Sequence, residues 1–252
     1  MSCTVTKRIA SGHGAPARAG LGLPARLTTL RAAGVEPTVV VSDVDEPALV
    51  ERAEHEFGDL GAEDVALLLA RAKCEAVAAT LGEEDVHPGL VLGCDSVLEL
   101  DDEVHGKPAD AAEAIARWQR MRGRSGVLHT GHWLIDDRDD GTGATIGAVA
   151  STTVHFADLD DAEIEAYVGT GEPLRVAGAF TIDGLGGAYV RGIEGDHHNV
   201  VGLSLPLLRE LLADVGVAWR DLRGSPSPRM RERGCGQRGA FAAATASTMP
   251  RP

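Results

Sequence analysis

Leu90-Val91-Leu92-Gly93-Cys94-Asp95-Ser96-Val97 is an apolar run that breaks at a glycine and meets an acid. Its first four residues read as a buried strand. An acid directly after such a strand is expected at the rim of a sheet, where α/β proteins gather their sites. Strand-ending Asp is also a common turn former, so the neighbourhood of Asp95 decides its meaning. Two of the chain's three lysines, Lys73 and Lys107, flank this segment, against 21 arginines in the whole sequence. The bias toward Arg, Ala and Gly has the look of GC-rich coding. Positions that stay lysine are therefore candidates for sites that need a compact ammonium rather than a planar fork.

Outward from this segment, helical and strand signals alternate. Pro24 to Ala33 reads as a short helix with Gly34 as its C-cap, and Thr38-Val39-Val40-Val41 as a buried strand. A long helix is predicted from Ala62 to Leu81, with Val65, Leu68, Leu69, Ala72, Val77 and Leu81 on one face. Glu99 to Val104 reads as a hairpin turning at Asp101-Asp102. Asp110 caps a helix to Met121, with Glu113 in the capping-box position. Strands are expected over Val127–Ile135 and Thr145–Phe156, a helix from Asp160 to Val168, and a last core helix from Leu205 to Leu212. The pattern is α/β, with one mixed, twisted sheet flanked by helices. Residues 24–222 form the expected domain. Residues 1–23 are read as an irregular N-terminal segment and residues 223–252 as a disordered Arg/Pro/Ala-rich tail.

A chain of 252 residues with 44% hydrophobic content can bury one large core or two small ones. The net charge is −14. Residues 1–26 carry +4 and residues 223–252 carry +5, so residues 27–222 hold −23. Such an acidic body argues against nucleic acid as a partner, and a phosphate ligand would need a local basic pocket within it. Cys3, Cys74, Cys94 and Cys235 show no C-x-x-C spacing, which points to a reducing cytoplasm. No apolar run reaches membrane-spanning length and no leader-like apolar segment begins the chain. No membrane association is expected.

Lys107 lies in Gly106-Lys107-Pro108, where glycine permits close backbone approach to a ligand and proline stiffens the chain. No P-loop is present. Ser42-Asp43-Val44-Asp45-Glu46 closes the earlier strand with three carboxylates; clustered acids near phosphate can hold Mg²⁺, and Asp43 reads as part of a solvated loop. His129-Thr130-Gly131-His132 and Asp196-His197-His198-Asn199 lack both the H-E-x-x-H spacing and a nearby cysteine, which argues against zinc. Ala177 to Gly187 is small and glycine-rich, suited to close packing around a flat ligand.

Taken together, these residues resemble the Maf family of nucleoside triphosphate pyrophosphatases. The resemblance runs from Pro24 to Leu212 and rests on P-A-R-L-T-T-L-R-A-A-G (24–34), V-V-V-S-D-V-D-E (39–46), A-R-A-K (70–73), G-C-D-S-V (93–97), G-K-P (106–108), R-S-G-V-L-H-T-G (124–131), A-G-A-F-T-I-D-G-L-G (177–186) and N-V-V-G-L-S-L-P (199–206). It implies two lobes around a central cleft, Maf/ITPase-like, and a cytoplasmic enzyme; a homodimer is one assembly that the sequence leaves open. It also implies divalent-metal-dependent cleavage, with Mg²⁺ or Mn²⁺, of a nucleoside triphosphate to monophosphate and pyrophosphate. The family is further associated with arrest of septum formation.

By the same resemblance Asp95 is the catalytic proton acceptor. Arg26, Lys73 and Lys107 contact phosphate, Glu46 and Asp95 serve the metal, and Thr130 and Asp183 line the base pocket. The chemistry is consistent: hydrolysis between the α- and β-phosphates needs a base for water, a metal to polarise oxygens and cations for the departing pyrophosphate.

Two departures stand out. The family carries S-x-S-x-R-R where this chain has Gly20-Leu21-Gly22-Leu23-Pro24-Ala25-Arg26. GCC-TCG-GCC-TCG, coding Ala-Ser-Ala-Ser, becomes Gly-Leu-Gly-Leu when read one base early, so a frame disturbance just before Pro24 accounts for the change. The alternative is a genuine variant in which Ser11 stands in. A catalytically weak nucleotide-binding protein acting on septum formation through partners is the competing functional reading. The second departure is Asp183, where the thymidine/uridine-type subgroup has glutamine; an acid reads base donors rather than acceptors.

Overall fold

The computed structural model describes residues 2–7, 23–83 and 89–222. In chain order the elements are β1 (Ser2–Lys7), α1 (Leu23–Ala32), β2 (Thr38–Ser42), α2 (Glu46–Phe57), α3 (Ala62–Glu83), β3 (Gly89–Leu100), β4 (Glu103–His105), α4 (Ala111–Met121), β5 (Ser125–Asp137), β6 (Thr145–Phe156), α5 (Asp161–Gly169), β7 (Val190–Glu194), α6 (His197–Val201), α7 (Leu205–Asp214) and α8 (Trp219–Leu222). Short 3₁₀ turns at Pro173–Arg175, Ala177–Ala179 and Leu185–Tyr189 lie between α5 and β7.

The strands form one sheet in the order β2-β1-β3-β5-β6-β7, with β4 paired to β3. The helix-flanked α/β architecture is as expected. The sheet differs from the mixed one anticipated, because every ladder among the described residues is antiparallel. Ser2–Lys7, expected to be irregular, is a strand bridging β2 and β3. The altered stretch Gly20-Leu21-Gly22, Ser11 and the tail from Arg223 lie outside the described residues.

β3 is the spine, and it corrects the reading of Asp95. The strand does not end there: its ladder with β5 continues through Glu99↔Val127, and the chain turns at Asp101 and Asp102, both with positive φ. Asp95 is thus mid-strand. β2 is likewise only half-buried, since it occupies the sheet's edge, with Val41 41% exposed. α2 has no counterpart in the apolar periodicity. Local chemistry starts and stops it instead: Asp45 caps its N-terminus by accepting from Ala48 N, Pro47 sits in the first turn, and Gly58 ends it.

Side-chain alternation along β3 separates the two faces of the sheet. Val91, Gly93, Asp95 and Val97 face α3. There Ala66, Ala70 and Cys74, spaced one turn apart, settle over glycines. A Cβ at Gly93 would lie 2.7 Å from Cys74 Cβ, and one at Gly131 2.7 Å from Leu67 N. The even-numbered residues face the other way, and the register makes rungs with β5: Leu92 with Leu134, Cys94 with His132, Ser96 with Thr130, Leu98 with Leu128. The first rung belongs to an apolar core with α7, Leu203 and Val217. The last belongs to a second core around Trp118, Phe156, Tyr167 and Phe180, where Trp118 meets Phe156 and Tyr167 edge-on. Between the two cores runs a polar seam. Two cores on one face, parted by buried polar groups, are the physical form of the expected two lobes.

Candidate active site

Three elements converge on Asp95. The close seating of α3 on Gly93 and Gly131 brings Lys73 down to the sheet, where its side chain is 1% exposed. Its ammonium pairs with Asp95 Oδ1 and lies 3.2 Å from Glu46 Oε1, at the first turn of α2. The acids are less enclosed, at 14% for Asp95 and 33% for Glu46. A sealed cation therefore sits beneath two carboxylates that reach toward solvent. A buried ammonium is costly unless paired, so the two acids and the lysine hold one another in place. Cys74, next to Lys73, is packed against Val91, and burial pushes its thiol up to about 12.

Across the sheet, Arg26 on α1 enters the seam. It donates from Nε to Gly202 O (2.7 Å), from Nη1 to Cys94 O (2.8 Å) and from Nη2 to Ser96 Oγ (3.3 Å). None of these acceptors is a carboxylate. Gly202 adopts a φ of +107°, and a Cβ there would lie 3.0 Å from Arg26 Nε. That explains the glycine in N-V-V-G-L-S-L-P. Thr130 Oγ1 donates to Asn199 O at 3.1 Å, which leaves Ser96 as the donor in the 2.8 Å contact between the two hydroxyls. Thr130 is fully buried and serves as a strut of the seam. Asn199 donates to Leu128 O and Thr152 Oγ1.

His132 completes this layer. Ser204 N donates to its Nε2 at 2.9 Å, so the proton is on Nδ1, facing Thr130 O at 3.0 Å. Burial, with the charge of Arg26 adding to it, pulls the imidazole down to about 4.

Lys107 and Asp183 are both exposed and, among the described residues, neither is bonded to the Asp95 group. Their loops meet each other. Gly178 N donates to Gly106 O at 3.1 Å, and a Cβ on Gly178 would press on Leu98, three residues along β3 from Asp95. The Asp183 loop is held by Glu172. Its Oε1 accepts from Tyr167 Oη (2.9 Å), Thr181 Oγ1 (2.5 Å) and Gly186 N (2.9 Å), and its Oε2 from Leu185 N (3.0 Å). Burial pushes this carboxyl up, but the donors outweigh it and the net shift is downward.

The structure thus joins Asp95, Lys73 and Glu46 directly, with Ser96 and Thr130 on the reverse face and Arg26 at the edge of β3 between its ladders with β1 and β4, where it bonds Cys94 O next to Asp95. It sets Lys107 and Asp183 on paired loops further along β3. Glu172 was not singled out from sequence; His132 and Asn199 were weighed only within runs set aside as zinc ligands, and Ser96 and Ser204 were quoted only within motifs. Ser204, a lone polar residue within Gly202-Leu203-Ser204-Leu205, carried the clearest local signal. Asp196, His197 and His198 place ligand atoms within 4.8 Å of one another; they flank the start of α6, on the seam side of the sheet rather than with Asp95 and Glu46. Among the described residues no helix is long and apolar enough to cross a membrane.

Comparison with known proteins fits this geometry. The model of the Maf family, described as Maf-like protein, matches residues 23–215. A protein of Leifsonia xyli subsp. xyli named nucleoside triphosphate pyrophosphatase is 53% identical over 79% of this chain and 92% of its own length. Proteins of the same name from Salinispora tropica (57% identical, 77% of this chain, 81% of theirs) and Streptomyces coelicolor (53%, 79% and 90%) are similar over the same region.

Proposed function

The chain belongs to the Maf family, and from that premise we propose that it is a nucleoside triphosphate pyrophosphatase. It hydrolyses ribo- or deoxyribonucleoside triphosphates, modified ones included, to the monophosphate and pyrophosphate. The observation that carries the proposal is the Lys73 ammonium sealed beneath Asp95 and Glu46. That arrangement fixes a carboxylate at the surface of a rigid helix–sheet contact, as a positioned base requires.

With Oδ1 engaged by Lys73, Asp95 Oδ2 is the oxygen left to take a proton from the attacking water. The water attacks the α-phosphorus, the bond from that phosphorus to the α–β bridging oxygen breaks, and the pyrophosphate carries away the electron pair. Negative charge builds on the departing group. Arg26, docked by carbonyls and a hydroxyl, and Lys107, on its exposed turn, are the cations this proposal assigns to it. The Asp183 loop, held by Glu172, is assigned to the base.

The donor set fits a divalent metal. Asp95 and Glu46 offer hard carboxylate oxygens, partly exposed and joined on one ammonium, which suits Mg²⁺ or Mn²⁺ with water and phosphate as the other ligands. Such an ion would polarise the phosphate oxygens and offset their charge. Burial of Cys74 as a free thiol supports a reducing, cytoplasmic setting.

The test is the product. Wild-type protein with Mg²⁺ or Mn²⁺ should release pyrophosphate and monophosphate in equal amounts. Orthophosphate as the first product would identify a different phosphoesterase.

A further inference from the structure

Arg117 is a cation the mechanism leaves unused, yet the fold buries it: its side chain is 5% exposed. Burial pulls its guanidinium below the ordinary value, with Glu113 opposing. A charge this enclosed needs a structural or functional return, and its partners show where it acts. Nη1 donates to Gly106 O at 2.5 Å, and Nη2 to Glu113 Oε1 at 2.5 Å. Glu113 Oε2 in turn accepts from Ala109 N at 2.7 Å. The circuit is closed: Gly106, Arg117, Glu113 and Ala109 bracket the two residues between them, Lys107 and Pro108. Pro108 is buried while Lys107 stands exposed at the crest. Gly106 O also accepts from Gly178 N, so the same bracket anchors the glycine-rich segment that leads to Asp183.

We propose that Arg117 is the positioning residue of this reaction: with Glu113 it fixes both ends of the Lys107 turn and so sets where that ammonium meets the triphosphate. The proposal rests on the reading of Lys107 as a phosphate contact. The fork matters. Two nitrogens of one planar group reach a carbonyl and a carboxylate at once, which a lysine cannot reproduce. A flexible four-carbon stem on a loose turn would spread its charge over several ångströms, whereas a bracketed turn delivers it to one place before substrate arrives.

A double-mutant cycle tests this, with the nucleoside triphosphate that wild type turns over fastest as substrate and inorganic pyrophosphate as competitor. Arg117→Met should lower kcat/KM by up to about tenfold, no more than Lys107→Ala itself, and weaken pyrophosphate inhibition, while Arg117→Lys recovers part of the loss. In a Lys107→Ala background, Arg117→Met should change kcat/KM by less than about twofold, because the group it positions is gone. If the two losses multiply independently, Arg117 is only structural and the proposal falls while Lys107 keeps its role. If Lys107→Ala alone matches wild type, the phosphate reading of Lys107 falls and takes the proposal with it. Should Arg117→Met fail to fold, Glu113→Gln, on the half-exposed side of the bracket, takes its place in the same cycle. Loss of its effect in the Lys107→Ala background then supports the proposal, and independent losses overturn it.

Discussion

Lys73 and Lys107 are the same residue type in opposite surroundings. One is sealed between a helix and a sheet with two carboxylates over it; the other stands in solvent on a bracketed turn. The difference separates two uses of an ammonium. Lys73 is a permanent counter-charge, and its partners are already in the protein. Lys107 has no carboxylate partner among the described residues, so its charge is available to a ligand. Both were first marked by the same sequence signal, the survival of lysine among arginines, and that signal could not tell them apart. The three-dimensional setting does separate them, one sealed and the other exposed.

This contrast can be broken in several ways, beginning with stability. Lys73→Met should remove the counter-charge and leave Asp95 and Glu46 facing each other, at a cost of about 3–5 kcal/mol, read by denaturant unfolding. Lys107→Ala should leave that midpoint unchanged.

The buried side of the contrast also predicts a pH dependence. His132 is neutral in the folded protein down to about 4, against 6.5 ordinarily. The unfolded chain therefore binds more protons between these values, and stability rises with pH across them. The contribution is fully present above about 6.5 and is lost as pH falls toward 4, amounting to about 3 kcal/mol. His132→Gln should flatten that slope in unfolding curves taken from pH 7 to 4. An unchanged slope would remove His132 as its source.

Activity follows next. Asp95→Asn keeps an acceptor for Lys73 but cannot take a proton from water, so turnover should fall about 10²-fold or more with the fold intact. Lys107→Ala should lower kcat/KM for a triphosphate about tenfold and affect monophosphate binding less; equal losses for both would assign Lys107 a structural part. The smallest effect is expected at the base. Asp183→Gln should shift preference among nucleoside triphosphates by a few-fold, about 1 kcal/mol, with kcat on the best substrate little changed.

Much of the fold was legible because periodicity and capping agree in α3, α4, β5 and β6. The Asp110 cap and the Asp101-Asp102 hairpin are local chemistry that sequence displays directly. α2 was missed because its apolar periodicity is weak: Ala53 is its one buried residue, and its Asp45 cap was read as one of three clustered carboxylates. Asp95 was misplaced at a strand end because an acid in mid-strand is tolerated only where a buried cation answers it, and Lys73 lies 22 residues away. The seam of Ser96, Thr130, His132, Asn199 and Ser204 depends on cross-strand register and on a loop far along the chain. Arg117 looked like any arginine in an amphipathic helix until its fork was seen on Gly106 O.

The buried cation beneath the two acids holds the site together. Its direct measurement is equilibrium unfolding of wild type, Lys73→Met, and the triple variant Lys73→Met with Asp95→Asn and Glu46→Gln. Lys73→Met should be destabilised by about 3–5 kcal/mol and the triple variant should regain most of the loss, because no charge is left without its partner. A Lys73→Met protein as stable as wild type, or a triple variant no better than the single one, would contradict this.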